Sequence, residues 1–376
     1  MAALPGPVAV PAVAVPFPPA PVPVRQPLPP NPYIEAIQPA CHSAYDQCLQ
    51  AEQAAGGDSQ FLMHARCLGY LIREAPDDEA RCHVSEEILL CNGNPKSLNL
   101  LAKFYIEHLF RLFRQNKGRT PGASHHPSRP SFEEERFFFS STVDSAPKDH
   151  TAAKKAALRR DNYRCMVSGD ADLNSLTNMT DDERAALNFT GVFESSETNF
   201  CHIFPPSTNW DLKPEDIGHP KTHYSGNVWG IVNCFGGINV LDELTGDMAH
   251  RLSNGLTMSV ALHGYFDRLA LWFEEVPNNP HTYRVRTLLP NLRGLSQLGP
   301  HPVVTFTTTT NLELPDPKYL RLHAAVCRVA HMSSAAKYLD LYDRELEERK
   351  ALARDGSSAE LLSTQLRRAL LTRVGA

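Results

Sequence analysis

The stretch Leu262-His263-Gly264-Tyr265-Phe266-Asp267, preceded by Asn254-Gly255-Leu256, decides how the middle of this chain folds. His263 and Asp267 are four residues apart, so on a helix they share one face about one turn apart. An imidazole and a carboxylate in this arrangement can hold one metal ion, although such a pair is also common as an exposed ion pair. The stretch therefore predicts a turn that leads into a helix with a candidate metal site.

Two upstream blocks supply the other groups that phosphodiester hydrolysis needs. They are Arg160-Asp161-Asn162-Tyr163-Arg164-Cys165-Met166-Val167-Ser168-Gly169 and Cys201-His202-Ile203-Phe204-Pro205. A neutral histidine such as His202 can take a proton from water near pH 7. A metal ion can stabilise charge on the phosphate, and an amide such as that of Asn254 can orient the base. Each residue taken alone also fits an ordinary surface, core or turn position; the ordered set favours chemistry.

The ordered blocks resemble those of the HNH nuclease superfamily, whose fold is a β-hairpin followed by a helix around one metal ion. They are similar in particular to HNH domain proteins of filamentous and mushroom-forming fungi. Further matching blocks are Asn279-Pro280-His281-Thr282-Tyr283, Leu322-His323-Ala324-Ala325 and Asp355-Gly356-Ser357-Ser358. The likeness thus spans roughly residues 60 to 370.

The resemblance implies a role for each matching residue. His202 is the implied general base, and Asn254 orients that imidazole or supports its loop. His263 and Asp267 are the implied ligands of a divalent cation, Mg²⁺ or Mn²⁺ first and Zn²⁺ second. The implied substrate is nucleic acid, DNA ahead of RNA. The implied phosphate contacts are Arg160 and Arg164.

Two features depart from the family pattern. Many HNH enzymes have a metal-binding Asp or His directly before the catalytic histidine, and this chain has Cys201 there. A thiolate suits zinc better than magnesium, but a cysteine can also serve as a small buried apolar residue. The other departure is the stretch of 51 residues between His202 and Asn254. It includes an apolar run from Trp229 to Phe235 that predicts a helix, so we expect 207–250 to be an insertion.

The pattern along the chain predicts an α+β fold with a ββα-metal (HNH) core flanked by helical regions. Helical spacing is clear at Phe61 to Arg73, Asn94-Pro95 is typical of a helix start, and Asp316-Pro317 precedes one long predicted helix from Lys318 to about Lys350. Strands are predicted at 283–287 and 303–310. The expected divisions are a disordered Pro/Ala/Val-rich tail (1–32), a helical region (33–117), a linker (118–150), the nuclease domain (151–310) and a helical region (311–376).

Composition limits the possible functions. The net charge of -5 argues mildly against strong nonspecific DNA binding. Nine cysteines without a Cys-x-x-Cys pair exclude a usual zinc ribbon and suit a reducing, intracellular compartment, either nucleus or cytoplasm. No apolar run approaches the roughly 18 residues that a membrane span needs.

Three alternatives to a nuclease follow from the same residues. The main one is a catalytically inactive HNH-fold module that binds nucleic acid or a protein, favoured by the net charge and by Cys201. A structural zinc protein would need four closed ligands. A hydrolase using Cys201 with His202 is disfavoured, because adjacent residues on a strand point to opposite faces.

Overall fold

A computed structural model of the chain describes residues 25–114, 150–206, 220–244, 246–288, 295 and 302–348. Most of the expected tail, residues 118–149 of the expected linker, residues 207–219 of the expected insertion and residues 349–376 of the expected C-terminal helical region lie outside these ranges. The described residues combine helices with small sheets, in agreement with an α+β class. Among them, no helix has both the length and the apolar character that crossing a membrane requires.

The N-terminal region consists of helices whose starts are encoded locally. They are α1 (Pro39–Ala54), α2 (Ser59–Glu74), α3 (Asp78–Leu90) and α4 (Pro95–Tyr105). The side chains of Asp58, Asp77 and Asn94 accept backbone N–H groups at the starts of α2, α3 and α4, which satisfies donors that have no partner within a helix. The helix predicted at Phe61 to Arg73 and the helix start at Asn94-Pro95 are confirmed.

The end of the expected tail is packed, so its predicted boundary at residue 32 is wrong. The backbone N–H groups of Arg25 and Gln26 donate to the carbonyls of His331 and Met332, each at 3.0 Å. The hydroxyl of Tyr70 donates to the Pro27 carbonyl at 2.8 Å, and Leu28 is buried. Proline lacks an N–H but keeps its carbonyl, so a proline-rich segment can still be fixed by donors from a neighbouring helix.

Within the described residues, the middle of the chain contains short strands in three small sheets. The elements are α5 (His150–Arg160), β1 (Ala171–Asp172), α6 (Leu173–Leu176), α7 (Asp181–Ala186), β2 (Ser195–Ser196), β3 (Thr198–His202), α8 (Pro220–Gly236), α9 (Val240–Glu243), β4 (Gly255–Ser259), α10 (Val260–Phe266), β5 (Leu271–Glu275), β6 (Thr282–Thr287) and β7 (Val303–Thr305). Strands β1 and β2 are parallel, β3 pairs antiparallel with β4, and β5, β6 and β7 form an antiparallel sheet.

The β3–β4 pair is the part of the fold that positions the candidate site. Cys201 lies opposite Leu256 and His202 opposite Gly255, and β4 continues directly into α10. The two strands are neighbours in space but lie far apart in sequence. The residues between them include the helix predicted at Trp229 to Phe235, which is observed within α8. A strand pair and a helix therefore meet at one place.

The prediction of one long helix from Lys318 to about Lys350 is wrong. The part of this region that the structure describes, up to residue 348, contains two helices, α11 (Pro317–Ser333) and α12 (Ala335–Glu348), with Ser334 between them in the left-handed conformation at φ 75°. The Ser333 hydroxyl accepts the N–H of Ala335 at 3.2 Å. Serine side chains compete with helical backbone hydrogen bonds, and this pair interrupts an otherwise continuous helical pattern. The strand predicted at 303–310 is shorter, since β7 ends at Thr305.

One buried apolar cluster extends through all these regions. It includes Leu68 of α2, Leu256 of β4, Phe266 of α10 and Val326 of α11. Helix α11 packs against both α2 and β5. The helical flanks and the β3–β4–α10 unit therefore share a core.

Candidate metal and catalytic site

Cys201, His263 and Asp267 form a cluster of three potential metal ligands. One ligand atom from each lies within 4.8 Å of the others. His263 Nε2 is 3.3 Å from Asp267 Oδ2, so the predicted meeting of these two side chains is observed. Cys201 is fully buried, whereas the side chains of His263 and Asp267 are 18% and 16% exposed. The cluster therefore has one fully buried ligand, on β3, and two ligands that are partly exposed to solvent.

Local sequence explains this placement. Leu262 and Phe266 of α10 face the core, which leaves His263 and Asp267 on the flank of the helix. Asp267 directly follows α10 as its C-terminal cap, and its N–H donates to the His263 carbonyl at 3.0 Å. Cys201 belongs to β3, and its sulfur lies near the ligand atoms of His263 and Asp267.

The donor set fits a single borderline-soft cation. A thiolate, an imidazole and a carboxylate together suit zinc better than magnesium, which prefers oxygen ligands. Burial raises the pKa of the Cys201 thiol well above its usual value, and the nearby Asp267 raises it further. The thiol must therefore give up its proton when a cation binds.

His202 lies at the end of β3 and is buried among other rings. Its Nε2 is 3.1 Å from Nδ1 of His250. The rings of Phe200 and His150 lie 4.8 and 5.4 Å from its own, centroid to centroid. Burial lowers the pKa of His202 well below its ordinary value, and His250, His150 and His263 lower it further. His202 is therefore neutral near pH 7 and has one nitrogen lone pair.

Asn254 supports the loop, one of its two expected roles, and the alternative of orienting the His202 imidazole is wrong. The amide nitrogen donates to the carbonyls of Phe204 and Ala249 at 2.9 and 2.8 Å. The amide oxygen accepts the N–H of Phe204 at 2.9 Å. These bonds connect the segment after β3 to the turn before β4, so the Asn254 amide bonds to backbone groups of this loop and not to the His202 ring.

Arg160 is not accessible for the expected phosphate contact, because it is a core residue with 0% exposure. Its guanidinium pairs with the Asp161 carboxylate at 2.7 and 2.9 Å. It also donates to the carbonyls of Leu252, Gly255 and Glu313. Arg160 thus connects α5 to the turn before β4 and to the segment before α11.

Arg164 is at the surface, where a phosphate contact stays a prediction. Its guanidinium lies 4.3 Å from the centre of the Phe189 ring, and one nitrogen donates to the Gly169 carbonyl at 3.1 Å. Partial burial lowers its pKa somewhat.

Sequence reasoning missed His250 and His150. Both lie beside His202, but neither is near it in sequence, and the chain contains 16 histidines. For His250, the available signal was its position four residues before Asn254.

Comparisons with known proteins found no relative of this chain. No family model matches the chain. Searches of curated proteins and of solved structures also found no match.

Proposed function

We propose that the chain is a metal-dependent nuclease of the HNH type that hydrolyses phosphodiester bonds of nucleic acid, DNA ahead of RNA. The observation that carries the proposal is the Cys201, His263 and Asp267 cluster on a strand pair followed by a helix, next to a buried neutral histidine. Strand, strand and helix follow each other in the order that the HNH resemblance implies.

Each residue then has a chemical role. Cys201, His263 and Asp267 hold the cation, for which the thiol places Zn²⁺ ahead of Mn²⁺ and Mg²⁺. A bound cation supplies positive charge for the scissile phosphate and the leaving oxygen. His202 takes the proton of the attacking water. Asn254 holds the loop that follows His202, and Arg164 contacts a neighbouring phosphate.

A nicking assay with metal analysis tests this proposal. Supercoiled plasmid is incubated with the parent chain and with Zn²⁺, Mn²⁺ or Mg²⁺. We expect His202→Ala to lose about 100-fold or more in cleavage rate, the usual scale for a general base, and to keep its metal. His263→Ala should lose both metal and cleavage. The matched control is His83→Ala, since His83 is a surface residue of α3 paired with Glu87. If His202→Ala cleaves as fast as the parent, the mechanism is wrong.

The second candidate is an inactive module with the same fold that binds nucleic acid or a protein. The net charge of -5 and the burial of Arg160, which removes one expected phosphate contact, favour it. A parent protein that binds metal but cleaves no plasmid with any of the three cations would favour this candidate over the nuclease.

A further inference from the structure

His250 is the nearest polar partner of His202 and comes from the end of the long stretch between β3 and β4. It ends a 3₁₀ helix, Gly246–His250, and is buried as His202 is. The nitrogens that face each other are His202 Nε2 and His250 Nδ1, at 3.1 Å. This distance is that of a hydrogen bond.

A hydrogen bond between two imidazole nitrogens requires one ring to donate and the other to accept. Among the residues that the structure describes, none hydrogen-bonds to His202 Nδ1. If Nε2 of His202 accepted, Nδ1 would carry the proton of the neutral ring and could not take one from water. If Nε2 donates, Nδ1 has the lone pair. Only the second arrangement is compatible with a base.

We propose that His250 is a positioning residue for the base His202: its Nδ1 accepts the Nε2–H of His202, which fixes the ring orientation and the tautomer that leaves Nδ1 able to take a proton. This inference rests on the proposed nuclease function. In the reaction, water gives a proton to His202 Nδ1 while its oxygen bonds to phosphorus and the bond to the leaving oxygen breaks. The leaving oxygen takes a proton from solvent, and His202 returns its own proton to solvent.

The surroundings of His250 support a positioning role. The carbonyl of Ala249, the residue directly before it, accepts the Asn254 amide, which also holds Phe204, two residues after His202. The same amide thus fixes the backbone on both sides of the His202–His250 contact. His250 therefore lies near the end of the stretch that separates β3 from β4, directly after a residue whose carbonyl is hydrogen-bonded to Asn254.

The test uses full-length His250→Ala, His250→Asn and His250→Leu. We expect His250→Ala and His250→Leu to lower kcat for plasmid nicking about 10- to 100-fold, the scale seen when an orienting partner is removed, with KM and bound metal unchanged. The His250 side chain takes no part in the Asn254 hydrogen bonds, so all three variants should retain them. Asparagine places an amide oxygen near the position of Nδ1, so His250→Asn should recover most of the rate. Parent-like kcat in His250→Ala, or equal rates in the Leu and Asn variants, would overturn the inference.

A second readout does not depend on cleavage. Nitrogen-15 NMR of the histidine rings reports which nitrogen carries the proton. In the parent, His202 should have a protonated Nε2 and an unprotonated Nδ1; in His250→Leu the two tautomers should exchange. A parent with this tautomer but no nuclease activity contradicts the proposed function alone. A parent with the proton on Nδ1 contradicts the inference, even if His250→Ala does not fold.

Discussion

At the scale of single residues, Cys201 gives the sharpest test of the metal site. We expect Cys201→Ser to lower zinc affinity by at least about 10-fold, because even the loss of a residue that only hydrogen-bonds to a metal ligand lowers affinity by that much. Competition with a chromophoric chelator measures the affinity. The matched control is Cys327→Ser, because Cys327 of α11 is also fully buried with a raised thiol pKa. Equal zinc affinity in the parent and Cys201→Ser would remove Cys201 from the ligand set.

The same cysteine predicts a pH dependence. Because the pKa of the Cys201 thiol is raised, zinc must displace its proton, and zinc affinity should rise with pH between 6 and 8. Serine at this position releases no such proton in that range, so the slope of affinity against pH should be shallower in Cys201→Ser. Parallel slopes in chelator competition would contradict the thiol's role.

Because His323 is buried, we expect the stability of the core to fall in acid. Its ring is stacked on Phe266 with centroids 3.8 Å apart, and burial lowers its pKa to about 3. The folded state keeps it neutral while the unfolded chain protonates it near pH 6.5, so its contribution is present above pH 6.5 and is lost as pH falls toward 3. The loss is about 2 kcal/mol of unfolding free energy by pH 5.

His323→Gln tests this acid sensitivity. Glutamine does not titrate and can still hydrogen-bond, so the difference in unfolding free energy between pH 7.5 and pH 5 should shrink by about 2 kcal/mol. Urea unfolding at the two pH values measures it. Other buried histidines, such as His331, keep part of the dependence in the variant. An unchanged difference would mean that His323 does not titrate on unfolding as stated.

At the scale of elements, the β3–β4 pair depends on a glycine. Gly255 lies directly opposite His202 in the strand pair. A Cβ on Gly255 would lie 2.1 Å from the Phe200 ring. Gly255→Ala should therefore separate the strands and lower the unfolding free energy by about 1–3 kcal/mol, with a loss of plasmid nicking. The control is Gly264→Ala in α10, where the nearest atom is the end of the Arg268 side chain at 3.4 Å and alanine favours the helix. Similar stability losses in both variants would contradict the steric argument.

How far the sequence predicts an element depends on how local its cause is. Helix starts at Asn94 and Asp316 and the meeting of His263 with Asp267 were predictable, because caps and helical spacing act within four residues. The burial of Arg160 was not, because the backbone carbonyls that accept its hydrogen bonds lie about 90 to 150 residues away in sequence. For the same reason, His202 was predicted as a candidate base while its hydrogen-bond partner His250 was missed.

At the scale of the whole molecule, the shared core determines how the chain unfolds. The sequence alone predicted a helical region, a linker and a nuclease domain as consecutive divisions. Yet α11 lies against α2 on one side and β5 on the other, and its residue Arg328 pairs with Glu74 of α2 at 2.6 Å. The backbone of Arg25 and Gln26 is bonded to the end of α11. A substitution that destabilises the N-terminal helices should therefore also lower the unfolding free energy of the β-sheets.

Leu71→Ala tests this coupling, because Leu71 of α2 is fully buried. We expect a loss of about 2–4 kcal/mol in unfolding free energy. Circular dichroism follows the helices, and fluorescence of Trp272 in β5 follows the sheet when Trp210 and Trp229 are replaced by phenylalanine. Both signals should give one transition and shift by the same amount. Leu100→Ala, at a position 69% exposed, should stay within about 0.5 kcal/mol of the parent. A shift in the circular dichroism alone would mean that the N-terminal helices unfold separately from the unit that carries the site.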